Sequence, residues 1–384
     1  MQNKMFSIFD FIPPQYYSRV FNGLIMVLCI ITAFYYSFDQ NHTKINRQIS
    51  LILALALASI TILFLGPRPV HASFTDTGYY IYSYYHSYDH FMPIDFNEEW
   101  LWYNISCFIK MMNFSDMGYL TSLMFLYVSF MFVACWIVMR DGMWIAILFC
   151  FSSFSFVAYG VNGMTNGIAA SFALAGIAIM ATKKTNLDIA IGLLLMLMSV
   201  STHRAMTLPV LCALLGCWYV KNPKYALYFW LLSIPLSLVA GNAITGFFVN
   251  LGFDDRMAEY ANLPADELGY EVVNSNGGRF RWDFIFYSVI PIFFIWYLTV
   301  KRNFKDYTFN VLAVTYILAN AFWIMVIRSE QSNRFAYLSW FIYPLVIAYP
   351  LLRFKIWEKQ DRALAAILLL YSGFTFFMCF IYNA

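Results

Sequence analysis

A chain of 384 residues that is 61% hydrophobic and 12% charged, with a mean hydropathy of +0.63, cannot keep a solvated surface around one core, since soluble domains carry about twice that charged share. The formal net charge is only +3, and there is neither a Gly-rich phosphate loop nor a dinucleotide fingerprint. An ATP-driven pump and a nicotinamide enzyme are thereby excluded, and no nucleic-acid partner is expected. Runs such as "LILALALASITILFLG" and "IAIGLLLMLMSV" are apolar throughout rather than alternating, which predicts membrane-spanning helices and not a barrel.

In chain order, residues 1–19 lack a basic start followed by an apolar run and read as an aromatic segment at the interface rather than a signal peptide. Spans follow near 20–38 and 49–66. The stretch 67–100 is a long connection crowded with Tyr, His and acids, and 98–113 reads as a short or re-entrant helix. Further spans are expected at 115–139, 143–160, 167–181, 187–201, 205–220 and 225–248. A second long connection, 249–282, precedes the spans 283–300, 307–328, 335–352 and 363–381. The fold class is thus an all-α polytopic membrane protein, a single integral membrane domain with about a dozen spans and two longer external loops. The close spacing around 160–167 and 201–205 leaves two turns at membrane depth, where non-helical backbone is tolerated beside protein or a wet cavity.

Basic residues orient the spans. If the connections 39–48, 140–142, 182–186, 221–224, 301–306 and 353–362 are cytoplasmic, that side holds 14 of 24 basic residues and, with Asp188, only 6 of 21 acids. Both termini then lie outside. The cytoplasmic side takes 9 of 11 Lys but only 5 of 13 Arg, so Arg19, Arg68, Arg204, Arg256, Arg279, Arg281, Arg328 and Arg334 fall on the disfavoured face. A planar fork of donors that never loses its charge suits phosphate, and the topology rule does not account for it there. Pairing with external acids is the plainer account of any one Arg; the set as a whole points to an anionic ligand. In the two long loops, aromatic rings beside carboxylates are equipment for stacking on sugar faces, although an interfacial aromatic belt accounts for many of these tyrosines.

Seven cysteines lie mainly in apolar spans without a CxxC pair, so neither disulfides nor a zinc knuckle is expected. His86 and His90, four apart with Asp89 and Asp95 nearby, come closest to a metal set, but two histidines in an aromatic loop are commonplace and no metal or cofactor is expected. Repeats of the kind transporters show are not evident.

One constellation stands out. "VNGMTNGIAASFALAGIAIMATKKTNLDIAIGLLLMLMSVSTHRAMTLPV" gives a short polar turn, a helix of small residues, a Lys pair, a second helix, then His203 and Arg204 at an external turn. This order resembles the EpsG-like branch of bacterial polysaccharide polymerases, the Wzy class that assembles O-antigen and related glycans. "GPRPVHASFTDTGYY" is similar to that family's Arg followed by a Gly-Thr-Asp-Tyr segment, "NEEWLWYNI" to its Glu-led short helix, and "NRFAYLSWFIYPL" to its late Arg with trailing aromatics. The likeness covers about residues 65–345. Where the family has Arg-Gln before an Ala-containing helix, this chain has Thr165 and Asn166.

The resemblance implies a GT-C-like glycosyltransferase of the bacterial inner membrane, with its active site on the periplasmic side. Its donor and acceptor would both be oligosaccharides linked to undecaprenyl pyrophosphate, membrane lipids would surround it, and a chain-length regulator is a further partner of the class. The leaving group needs cationic clamps, and the acceptor hydroxyl needs a base. Arg68, Arg204, Arg279, Arg281, Arg328 and Arg334 are the expected pyrophosphate contacts. Tyr79, Tyr80, Asn162 and Asn166 are expected at the sugars, and Asp76, Glu99 or His203 as the base. Another polyprenyl-linked glycosyltransferase, an O-antigen ligase and a lipid-linked oligosaccharide flippase remain as alternatives.

Overall fold

A computed structural model describes residue 9 and residues 11–38, 45–219, 222–250, 280–328 and 332–382. All its regular structure is helical among the described residues. In chain order the α-helices are α1 Tyr17–Phe38, α2 Arg47–Leu65, α3 Thr77–His86, α4 Trp100–Met111, α5 Asp116–Met139, α6 Met143–Phe151, α7 Phe154–Val157 and α8 Met164–Thr182. They continue with α9 Asn186–Thr202, α10 Thr207–Trp218, α11 Pro223–Asn250, α12 Trp282–Trp296, α13 Tyr307–Met325, α14 Ser332–Trp340, α15 Tyr343–Arg353 and α16 Gln360–Phe377.

Nine helical segments among the described residues are long and apolar enough to cross a bilayer, and Asn186–Thr202 and Arg204–Trp218 are shorter apolar helices. The protein is therefore a multi-pass membrane protein. The longest segment, Asp116–Phe151, is one run of 36 residues, yet the chain folds back on itself within it. Cys135 and Cys150 bring their Sγ atoms to 3.4 Å, the Tyr127 hydroxyl donates to the Phe156 carbonyl at 3.2 Å, and Gly160 abuts Met124 and Tyr127. Contacts that move down α5 as the chain advances from 150 to 160 are those of an antiparallel pair, so the segment turns back at Arg140–Gly142. The aromatic stretch 67–100 also departs from the expected loop: its tyrosines form α3, turning Tyr79, Tyr82 and Tyr85 outward while Tyr80 and Tyr84 are buried.

The chain divides into two compact units, Met1–His203 with Ala348–Ala384, and Arg204–Ile347. In the first unit α8 is the enclosed helix. Its run of Gly and Ala lets α9 approach backbone to backbone: the Ser199 hydroxyl donates to the Ala169 carbonyl at 2.7 Å, and a Cβ on Gly176 would stand 2.9 Å from the Gly192 carbonyl oxygen. Helices in lipid associate through such small-residue contacts, because burial of apolar surface offers nothing over the acyl chains. A bulky residue there forces the pair apart. Gly176→Leu is expected to cost about 1–3 kcal/mol by overpacking, read as a lower melting midpoint of the purified protein in detergent. Gly373→Leu, where a side chain meets nothing within 4 Å, should leave the midpoint in place.

The second unit is organised around α13 and a buried polar knot. Asn320 accepts from Trp230 Nε1 at 2.8 Å and donates to the hydroxyls of Ser288 and Ser339 at 3.1 and 3.0 Å. Ser288 Oγ also accepts from Trp340 Nε1, and its carbonyl accepts from the Tyr316 hydroxyl. One amide thus ties α11, α12, α13 and α14 together with every donor and acceptor directed at a partner, the condition under which a buried polar network fixes a single packing.

Candidate active site

The helices of the first unit define two ends. At one of them, Gly66 lies against Thr121 near the start of α5, Arg68 reaches Val161, and the Tyr80 hydroxyl donates to the Asn162 carbonyl at 3.1 Å. The Tyr80 ring packs on Trp102, one turn into α4. The N-termini of α3, α4 and α8 thus gather with the C-terminus of α9 at this end; Asp76, Glu99 and His203 bound three of those termini, and Asn162 precedes Gly163, the N-cap of α8.

His203 is the single extended residue, φ −152° and ψ 117°, that closes α9 before the 3-10 turn Arg204–Met206. Its N–H still donates to the Ser199 carbonyl, so the break in the helix orphans no donor there. Its ring is 5% exposed and pairs through Nδ1 with the Glu99 carboxylate. Glu99 stands at the N-cap position of α4. An ionised carboxylate can only accept, so the contact is made by a protonated Nδ1, and in a neutral ring the lone pair is then on Nε2. Two residues that the sequence offered as competing bases are therefore one unit, an imidazole held in one tautomer by a carboxylate 104 positions away. Trp100 Nε1 beside Glu99, Ser201 Oγ two residues before His203 and Asn162 Oδ1 just ahead of α8 are buried without a hydrogen-bond partner among the described residues.

The other expected residues fall in different surroundings. Asp76 is half-buried at the N-cap of α3, without a side-chain capping bond. Tyr79 is 68% exposed and can offer a ring face. Tyr80 cannot: it is buried, and burial, reinforced by the charge of Asp76, pushes its hydroxyl up to about 12. Asn166 is half-buried on the first turn of α8 beside the buried Thr165.

Arg68 also departs from the expected clamp. It is 1% exposed, and its guanidinium donates to Thr77 Oγ1, the Leu65 carbonyl and the Val161 carbonyl, each at 3.0 Å, and touches Met164 Sδ. Burial lowers its pKa to about 10, which still leaves it charged at neutral pH. With those donors turned inward, Arg68 is a strut between the end of α2, the start of α3 and the entry to α8. His86 and His90 do not share a helix face, because α3 ends at His86, whose Nδ1 lies 2.8 Å from the Tyr82 carbonyl. Asp89 instead pairs with Lys110 at 2.7 Å, which holds its carboxyl below the usual range.

The remaining expected arginines belong to the second unit or lie outside the described residues, as Arg279 does together with most of the second long connection. Arg281 forks onto Asp283 at 2.9 and 2.6 Å and lies over the Phe284 ring, which contacts Trp323 and Trp340. Trp323 Nε1 donates to Ser332 Oγ at the start of α14, so Arg281, Arg328 and Arg334 share one end of this unit. The Tyr307 hydroxyl donates to the Cys217 carbonyl, which makes α10 antiparallel to α13 and directs Arg204 toward that same end. Arg328 Nε is buried without a hydrogen-bond partner, and neither Arg328 nor Arg334 forms an ion pair among the described residues. A buried guanidinium donor left open is costly unless an anion meets it.

Compared with protein-family models, curated proteins and solved structures, the chain matches none. Its functional reading rests on its own residues.

Proposed function

We propose that the protein is a membrane glycosyltransferase that extends a surface polysaccharide. It moves a glycan from a polyprenyl pyrophosphate carrier to a hydroxyl of the next lipid-linked repeat unit, on the periplasmic face. The observation that carries this reading is the Glu99–His203 pair: a carboxylate-held imidazole at a confluence of helix termini is a general base for a hydroxyl proton. The resemblance of the motif order to the Wzy class supports the reading, and so does the grouping of Arg204, Arg281, Arg328 and Arg334 at one end of their unit. In this scheme His203 Nε2 takes the acceptor proton as the hydroxyl oxygen attacks the anomeric carbon. The bond to the pyrophosphate oxygen breaks, and the charge on the leaving pyrophosphate is met by arginine forks. The reading takes about twelve spans with the Lys-rich connections facing the cytoplasm; nine helical segments among the described residues are long and apolar enough to cross a bilayer.

Two experiments test it. Deleting the gene in a strain with a ladder-type surface glycan should remove the ladder and retain a single capped repeat. Loss of the capped repeat as well would point to a ligase or a flippase. For the arginines, at least two of Arg204→Lys, Arg279→Lys, Arg281→Lys, Arg328→Lys and Arg334→Lys should abolish polymer while the protein remains in the membrane, because Lys keeps the charge but loses the fork that grips two phosphate oxygens. Wild-type ladders from all five would remove pyrophosphate binding from the proposal.

A further inference from the structure

The opposite end of the first unit lies one α5 length away, 24 residues or about 36 Å at 1.5 Å per residue, and carries a cluster that the proposed reaction does not use. Arg47 is the first residue of α2, Arg140 opens the turn between α5 and α6, and Arg353 is the last residue of α15. All three gather around one carboxylate and one indole. Asp141 lies 3.6 Å from Arg47 Nε and 3.5 Å from Arg353 Nη1, and the guanidinium carbons of Arg47 and Arg140 stand 6.0 and 4.9 Å from the centre of the Trp136 ring. Gly142 permits this approach, since a Cβ there would come within 3.1 Å of the Leu352 side chain, next to Arg353.

Three features of this cluster are not those of a saturated ion-pair network. Arg47 and Arg353 both face the one carboxylate of Asp141 while Arg140 shares the Trp136 ring with Arg47, and like charges held together are unfavourable unless an anion joins them. Both Asp141 contacts are longer than a good hydrogen bond, and none of the three arginines donates a hydrogen bond among the described residues. The Arg47 and Arg353 side chains are each 46% exposed, so their forks are open to solvent. Composition adds a fourth. The Lys-rich connections contain only five Arg, and three of those five meet here, where Lys would have served the topology rule equally well.

We propose that Arg47, Arg140 and Arg353 form a binding site for the phosphodiester headgroup of an anionic phospholipid. The bidentate forks match the two unesterified phosphate oxygens. The source is a lipid rather than a soluble phosphate because the residues lie at span termini, with Arg47 beginning the candidate span Arg47–Leu65 and Arg353 ending Arg334–Arg353, which is headgroup depth. Acyl chains have a surface to follow: within two turns of Arg47, α2 turns Ile49, Ile52 and Leu53 outward. Trp136 beside the guanidiniums is the side chain expected at that depth. The site is independent of the glycosyl-transfer reading, which concerns the other end of the unit.

The test uses the full-length protein purified in a neutral detergent, with bound lipid read by native mass spectrometry and the melting midpoint read on adding phosphatidylglycerol, cardiolipin, phosphatidylcholine or inorganic phosphate. The wild type should retain and be stabilised by the anionic lipids and not by phosphatidylcholine. R47Q/R140Q/R353Q should weaken that retention by about tenfold or more, while K183Q/K184Q, a charge loss elsewhere on the Lys-rich side, should not. Asp141→Asn supplies a test of opposite sign that does not depend on the triple variant folding: removing the competing carboxylate should tighten anionic-lipid retention. Equal retention by wild type and triple variant, unchanged or weaker retention in Asp141→Asn, or equal stabilisation by phosphatidylcholine would overturn the site. A midpoint shift from inorganic phosphate as large as that from the lipids would overturn its assignment to a lipid.

Discussion

On the proposed glycosyl-transfer reading, His203→Gln should leave a folded protein that binds a lipid-linked donor and turns over at least about 100-fold more slowly, the lower bound for losing a positioned general base. Gln can donate or accept a hydrogen bond at that position but cannot hold a proton through a turnover, so it should not rescue what His203→Ala removes. Glu99→Gln should fall in the same direction. An amide at that position no longer stabilises the imidazolium that forms as the acceptor proton arrives, and it no longer enforces the tautomer with Nδ1 protonated. The decisive measurement is the double variant. If Glu99 acts through His203, the pair behaves as one unit, and His203→Gln with Glu99→Gln should be no slower than His203→Gln alone. Single-turnover rates with a purified lipid-linked repeat, alongside donor binding, give all three numbers. Strictly multiplicative losses would separate the two residues. Normal turnover by His203→Gln, with Asp76→Asn inactive and still binding donor, would move the base to the carboxylate at the start of α3.

What the sequence made legible divides along physical lines. Long apolar runs declare themselves because every position in them meets lipid or core, so α1, α2, α5, α8, α12, α13 and α16 fall where hydropathy puts them. The short helix expected at 98–113 is present as α4. The helix α3 was hidden because its composition, Tyr with Gly and Ser, carries no apolar periodicity strong enough to distinguish it from an aromatic loop. The doubling back of the chain after Met139 was legible from the Arg-Asp-Gly interruption, yet the π-helical turn Ala158–Asn162 that delivers the chain to α8 leaves no pattern of its own.

The site shows the same divide. Residue type alone marked His203, Glu99 and Asp76 as chemically able, but nothing local says that a Glu at the start of one short helix will meet a His at the end of another helix more than a hundred residues on. That contact is a property of how α4 packs on α9. Burial is equally non-local: Tyr79 and Tyr80 are neighbours in sequence and opposite in exposure, because successive helical residues point about 100° apart. The surroundings of Arg68 are non-local in the same way, since its partners at Val161 and Met164 lie more than ninety positions away.

Replacing Arg68 is accordingly expected to remove the protein rather than its affinity for substrate. Arg68→Ala leaves the carbonyls of Leu65 and Val161 and the hydroxyl of Thr77 without their donor in a buried place, and each unmet group costs about 1–3 kcal/mol, so a loss of about 3 kcal/mol or more is expected before the cavity is counted. Leu65 ends α2, where carbonyls lack intrahelical partners, so a cation there also answers the helix dipole. Arg68→Lys should recover little of this. One ammonium on a flexible stem can reach one of the carbonyls, whereas the planar fork spans α2, α3 and the entry to α8 at once. Thr77→Val, which removes a single acceptor and keeps the shape, should cost much less, about 1 kcal/mol. The measurements are the amount of protein in the membrane and its melting midpoint, with donor affinity determined on whatever fraction remains folded. A strut predicts that both Arg68 variants melt early and that the folded fraction binds donor as the wild type does. If Arg68→Lys instead kept the wild-type midpoint and lost donor binding, the guanidinium would have to turn outward to the pyrophosphate during the reaction, and its place would be with Arg328 and Arg334 among the cationic contacts.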